Sequence, residues 1–257
     1  MKRDHSDKAF QAFIEKLPAV DGAPNTPAPN ELDDPIVHEL VVACLAWDAP
    51  RSGVAPALDR VRSTLIDFNE FRVMIPEDAG GLLGPRYPKA EERCARIRAA
   101  LTEVFLRENG LALAHLRDAS KRDAKAYLES LPGLPAYAAN RVALVGCGVH
   151  TFPVDRVIFD LFEHAGVIEE SFSQAQLSSR LERAVRAADA MDRYRAIEAA
   201  AAKPQRKAPS GSARKTTKKA PAKPRKKTTK KSSGKTTKKA ASGADKKSSR
   251  KKTGKSA

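Results

Sequence analysis

The residues best spaced to do chemistry lie between 128 and 161, in the run LESLPGLPAYAANRVALVGCGVHTFPVDRVIFDL. Leu131-Pro132-Gly133 breaks one helical pattern, and a second begins near Ala136 and stays apolar through Val142, Ala143 and Val145. Gly146-Cys147-Gly148 ends it, and a short loop leads to Val154-Asp155-Arg156 at the head of a third helix. A hairpin ahead of a helix N-terminus offers unpaired N–H groups and the positive end of a dipole to a phosphate. Leu131, Pro132, Gly133, Leu134, Pro135 and Ala136 are therefore candidate contacts to a nucleic-acid backbone. Asp155 has two readings, an acidic group beside that backbone site or a cap for the helix it opens.

Other chemistry is weakly signalled. Five histidines (His5, His38, His115, His150, His164) are dispersed, without an i,i+4 pair or a cysteine cluster nearby. Ser120 and Ser130 lack the context of a nucleophile elbow. Gly80-Gly81 with Gly84 has neither the lysine nor the strand of a phosphate loop and reads as a connection. Cys44, Cys94 and Cys147 stand about fifty residues apart among apolar neighbours, which fits small buried side chains rather than a metal site or a disulfide framework. Trp47, at the end of an apolar helix, reads as core. No cofactor or metal is expected.

Charge divides the chain in two. Of 47 Lys+Arg and 31 Asp+Glu, 22 and one respectively fall from Lys203 onward, so the tail carries +21 and residues 1–202 carry −5. The tail repeats variants of Lys-Thr-Thr-Lys-Lys-Ala and has no large apolar residue, so it is expected to be disordered. Lys218, Lys219, Lys226, Lys227, Lys230 and Lys231 typify its pairs, and a polyanion is the expected partner, bound through counterion release. It is similar to the lysine-rich tails of histone H1-like proteins. The start Met1-Lys2-Arg3-Asp4-His5 has no apolar signal core and no run approaches a membrane span, so a cytoplasmic protein associated with DNA in the nucleoid is expected, without membrane contact.

The elements that must position the central stretch are helical. Phe10, Phe13, Ile14 and Leu17 share one face of a short helix, and residues 18–34 form a proline-rich linker. Asp33-Asp34-Pro35 starts a buried helix over Ile36–Trp47. Leu58, Val61, Leu65, Ile66 and Phe68 point inward from the next helix, and Pro76 to Pro88 reads as irregular. Lys89 to Asn109 is the clearest amphipathic helix, and short helical patterns follow at Leu111–Leu116 and Lys121–Leu131. One long helix is predicted over Ser173–Ala202. Apolar periods stay near 3.6, so the fold class is all-α, with boundaries 1–34 (helix and linker), 35–202 (helical domain) and 203–257 (tail).

The ordered set of Leu131-Pro132-Gly133, Val154-Asp155 some twenty residues later and the upstream HELVVACL of His38–Leu45 resembles the helix-hairpin-helix DNA glycosylases of the endonuclease III superfamily, over roughly residues 30–200. That resemblance implies two helical lobes with a DNA cleft between them, a hairpin on the phosphate and a flipped base. Asp155 falls on the family's catalytic aspartate, which would stabilise positive charge on the deoxyribose or activate water. Tyr137 falls where bifunctional members carry a Schiff-base lysine, and a phenol forms no imine, so lyase chemistry is not expected.

Further departures follow. The family hairpin reads L-P-G-x-G, but Pro135 stands here and removes one N–H donor. The four-cysteine iron–sulfur loop is missing, no glutamine stands in Asp48-Ala49-Pro50-Arg51, and Cys44 lies near the place of the acid used by adenine-excising members. Two functions remain open. One is a monofunctional DNA N-glycosylase using Asp155, with Tyr137 at the base pocket. The other is a non-catalytic, nucleoid-associated DNA-binding protein on a degenerate glycosylase fold.

Overall fold

Asp34 starts the central helix and uses both carboxylate oxygens to do so. The computed structural model describes residues 5–20, 28–29, 33–169 and 171–203. In it the N–H groups of Ile36 and Val37 donate to Asp34 Oδ1 at 2.8 and 3.1 Å, and Pro35 occupies the first helical position, where no N–H is missed. Leu113 and Ala114 N–H donate to Oδ2 at 2.9 and 2.8 Å, so the same side chain fastens a loop far along the chain.

The helix it starts, α2 (Pro35–Ala46), is buried from Ile36 to Ala46. The other helices are α1 (Asp7–Lys16), α3 (Val54–Thr64), α4 (Phe68–Val73), α5 (Pro76–Leu83), α6 (Ala90–Glu108), α7 (Lys121–Glu129), α8 (Ala136–Cys147), α9 (Arg156–Ala165), α10 (Gln174–Ala184) and α11 (Ala190–Ala201). The architecture is all-α, with no strand among the described residues. α8 and α6 pack directly on α2, α7 on α8, and α11 joins α9 to α8. α1 lays Phe10 and Phe13 against Phe162 of α9, with ring centroids 5.5 and 5.1 Å apart.

A buried helix end leaves its last carbonyls without partners unless something else supplies them. Side chains from other segments do so here. Arg93, fully buried in α6, donates to the carbonyls of Cys44 and Trp47. Tyr87 donates its hydroxyl to Leu45 O at 2.8 Å, and Arg51 donates to Ala46 O at 2.6 Å. Two guanidiniums therefore sit at the negative end of the α2 dipole, where cations are favoured.

Four expectations are corrected. Residues 76–83 form α5 rather than an irregular stretch: Pro76 opens it with Glu77 and Asp78 in its first turn, and Gly80 serves close packing. A Cβ on Gly80 would lie 3.2 Å from the Glu91 backbone nitrogen, whereas one on Gly81 would meet nothing within 4 Å. Ile66 points outward and is 77 % exposed, because α3 ends at Thr64 and Asp67 caps a new helix at Phe68. The stretch 173–202 is two helices, not one. A single helix of that length would extend ~45 Å, too long to bury Leu177 and Leu181 together with Tyr194 and Ile197, so the chain turns at extended Val185. Gly146, finally, lies inside α8, which ends at Gly148.

Among the described residues no helix is long and apolar enough to cross a membrane. The tail lysines Lys218, Lys219, Lys226, Lys227, Lys230 and Lys231 lie outside the described residues.

Candidate functional site

The hairpin forms as its residue types dictate. Gly133 has φ +76, in the left-handed region that favours glycine. Arg96 of α6 donates to its carbonyl at 3.2 Å, and a Cβ there would touch the Arg96 backbone at 3.4 Å. Leu131 is buried as the anchor, while Pro132, Gly133 and Ala136 are exposed and Leu134 and Pro135 half-buried. Pro135 precedes α8, and no side chain caps that helix start.

Asp155 is placed differently from the hairpin. It caps α9, accepting from Ile158 N–H at 3.0 Å, and it is completely buried. Arg51 grips it bidentately, Nη2 to Oδ1 at 3.0 Å and Nη1 to Oδ2 at 2.9 Å. Asp48 N–H also donates to Oδ2 at 3.0 Å. Each carboxylate oxygen thus accepts two hydrogen bonds, which uses the whole acceptor capacity of an ionised Asp.

Arg51 is the centre of a larger buried network. Its Nε donates to Glu198 Oε2 of α11 at 2.6 Å, and its guanidinium lies 5.3 Å from the Tyr137 ring centroid. Glu198 Oε1 accepts from the hydroxyls of Tyr137 (2.9 Å) and Tyr194 (2.5 Å). Arg141 of α8 pairs with Glu39 of α2 at 2.5 Å and lies 3.6 Å from Glu198. Tyr137 and Asp155 therefore meet through Arg51. The cluster ties α2, α8, α11 and the cap of α9 into one polar core.

Burial alone would raise the Glu198 carboxyl, but Arg51, Arg141 and the Tyr194 hydroxyl outweigh it and hold it below the ordinary carboxylate value of 4.5. Burial pushes Glu39 up despite Arg141, and it pushes the Tyr137 phenol well up, so Tyr137 stays neutral at physiological pH. A carboxyl depressed by folding contributes stability that is present above its unfolded pKa and lost as pH falls through the folded one. The melting temperature of the protein should accordingly fall on acidification below 4.5, and its margin over a Glu198→Gln variant should shrink over that range. A margin that does not change with pH would contradict this.

Beside the hairpin an open groove of about 700 Å³ is lined by Trp47, Arg96, Leu134, Pro135, Ala136 and Tyr137, with α7, α8 and α10 closing its other sides. Trp47 is half-buried there rather than wholly in the core.

No family model matches the chain, and no curated protein matches it in sequence. Solved structures do match in shape. A non-covalent endonuclease III–DNA complex aligns with a TM-score of 0.58 at 13 % identity, covering 75 % of this chain and 84 % of that one. A trapped endonuclease III–DNA covalent intermediate, an estranged-adenine complex, gives 0.55 at 14 % identity, covering 75 % and 80 %. The H. pylori 3-methyladenine DNA glycosylase bound to 1,N6-ethenoadenine gives 0.52 at 12 % identity, covering 74 % and 94 %.

The fold is that of the endonuclease III-like glycosylases. On this glycosylase fold the three cysteines do not fit an iron–sulfur cluster. Cys44, Cys94 and Cys147 belong to three different helices, and burial raises the thiols, for Cys44 and Cys94 to about 12. Among the described residues no group of His, Cys, Asp and Glu is placed to hold a metal. Sequence reading did not single out Arg51, Glu198, Arg141, Glu39 or Tyr194. Their signal was available: Glu39, Arg141 and Glu198 are lone charges inside otherwise apolar helical runs, and buried charges of that kind need partners.

Proposed function

We propose that the chain is a DNA-binding protein of base-excision-repair lineage that holds DNA without cleaving the glycosidic bond. The hairpin Leu131–Ala136 meets the backbone, and the lysine-rich tail supplies most of the affinity by counterion release. The observation that carries the non-catalytic half is the saturation of Asp155: the carboxylate is buried and already opposed by the Arg51 guanidinium. A group meant to stabilise positive charge on a sugar, or to activate water, needs a lone pair facing that sugar. Here a resident cation takes that place. Tyr137 likewise spends its hydroxyl on Glu198 and offers no amine.

The test is incubation of the purified protein with duplexes carrying uracil, mismatched thymine, oxidised guanine opposite adenine, or alkylated bases, followed by alkali to reveal abasic sites. The expected result is binding to each duplex with no strand scission above a protein-free control. Release of any base that Asp155→Asn abolishes would establish the glycosylase instead. A covalent adduct trapped by borohydride would mean that some other amine acts as the lyase nucleophile.

A further inference from the structure

The groove at Trp47 has a composition that duplex binding does not call for. Its aromatic wall is a half-buried indole with the Arg96 guanidinium 4.9 Å and the Lys89 ammonium 5.0 Å from the ring centroid. Lys125, Asn140, Gln174 and Ser179 also line the groove, together with the carboxylates Glu129 and Glu182. Arg96 is held by Glu92 and the Gly133 carbonyl, while Lys89 and Lys125 are lightly engaged. Arg96 pairs with Glu92 at 2.9 Å, Lys125 with Glu129 at 3.8 Å and Lys89 with Asp48 at 4.0 Å, with lysine and arginine side chains 35–51 % exposed. Exposed pairs of this kind contribute little and exchange readily for another anion. At about 700 Å³ the groove falls within the ordinary range of ligand sites, about 300–1,000 Å³.

We infer that this groove binds single-stranded DNA, with Trp47 as the platform on which an unpaired base stacks. The inference rests on the DNA-binding reading above and adds a substrate form to it. In an intact duplex both faces of each base are covered by neighbours, so a recessed indole has nothing to stack on. A single strand presents free faces, and stacking on an aromatic side chain is sequence-tolerant because every base has one. Arg96 and Lys125 in the groove and Lys89 beside the Trp47 ring meet the phosphates, and Asn140, Gln174 and Ser179 meet base edges. The duplex, by contrast, finds a hairpin that lacks an N–H at Pro135, in a chain whose residues 1–202 carry −5.

Trp47 is the chain's one tryptophan, so its emission reports on the groove and the tail contributes nothing to it. The full-length protein, titrated with a short oligodeoxythymidylate, should show quenched Trp47 emission, while a fully paired duplex, held by the tail and by backbone contacts at the hairpin, puts no base face on the indole and should quench it far less. Trp47→Ala should weaken oligodeoxythymidylate binding about tenfold, measured by anisotropy of a labelled strand. Trp47→Phe, which keeps an aromatic ring packed on the core, should weaken it less. Lys125→Gln changes a surface residue and should lower the salt slope for the single strand by about one. Equal quenching by duplex and single strand overturns the inference. So does oligodeoxythymidylate binding that leaves Trp47 emission unmoved, and in that case the DNA-binding reading stands. If neither form of DNA binds, both fall together.

Discussion

Arg51→Met will cost the folded domain about 3–5 kcal/mol, the range for breaking a buried ion pair by removing one partner. The reason is what stays behind. Asp155 keeps only backbone donors from Asp48 and Ile158, Glu198 loses its 2.6 Å partner, and the Ala46 carbonyl at the end of α2 is left with the Ala49 N–H alone. Urea denaturation of both proteins reads the difference directly. Arg51→Lys should recover little, because an ammonium cannot grip Asp155 bidentately while reaching Glu198. Asp155→Asn should also destabilise, and the Arg51→Met/Asp155→Asn pair should cost less than the sum of the single changes, since each alone strands the other's charge. A loss below about 1 kcal/mol for Arg51→Met would be the behaviour of an exposed pair. In that event the carboxylate is reachable in solution, and the non-catalytic reading loses its support.

Ending the chain at Ala202 should remove most of its affinity for undamaged duplex. A protein engaging about 6–10 phosphates loses about 10³–10⁵-fold in affinity between about 50 and 200 mM salt. The 22 basic residues from Lys203 onward are ample for that number of contacts. The full-length protein should therefore show a steep log–log salt dependence, and the truncated protein a shallow one with weak binding at every concentration. Filter binding or anisotropy across a salt series measures both slopes. Equal slopes would place the phosphate contacts on residues 1–202 instead, in spite of their net −5.

Much of the fold could be read from local patterns, because local patterns cause it. The Asp34-Pro35 start of α2 and the apolar stripe of α6 are consequences of residue type within a few positions. The breaks were harder to read. Gly80-Gly81 looks like a loop until the 3.2 Å approach of Glu91 explains why glycine is wanted inside a helix. The turn at Val185 has no glycine or proline to mark it and follows from how much of the chain one small core can cover. The candidate site was legible in position: Asp155 does head a helix beside a hairpin. Its environment was not, since the guanidinium that encloses it comes from 104 residues earlier in the chain. Pairings at such a distance leave no period or spacing in the sequence. Only the oddity of a charge in an apolar run, as at Glu39 and Glu198, hints that a partner exists.

The carbonyl end of α2 carries a consequence for how the domain assembles. Its acceptors are satisfied by Arg51, Tyr87 and Arg93, and the last two arrive more than forty positions downstream. Until α6 docks, the last turn of α2 has to borrow its hydrogen bonds from water, and burying it early would strand them. Contacts of that separation must overcome loop closure before they return any stability. The buried helix on which α3, α6 and α8 pack can therefore begin locally at Asp34, yet it is sealed only when a distant segment reaches it, which couples its completion to the collapse of the domain.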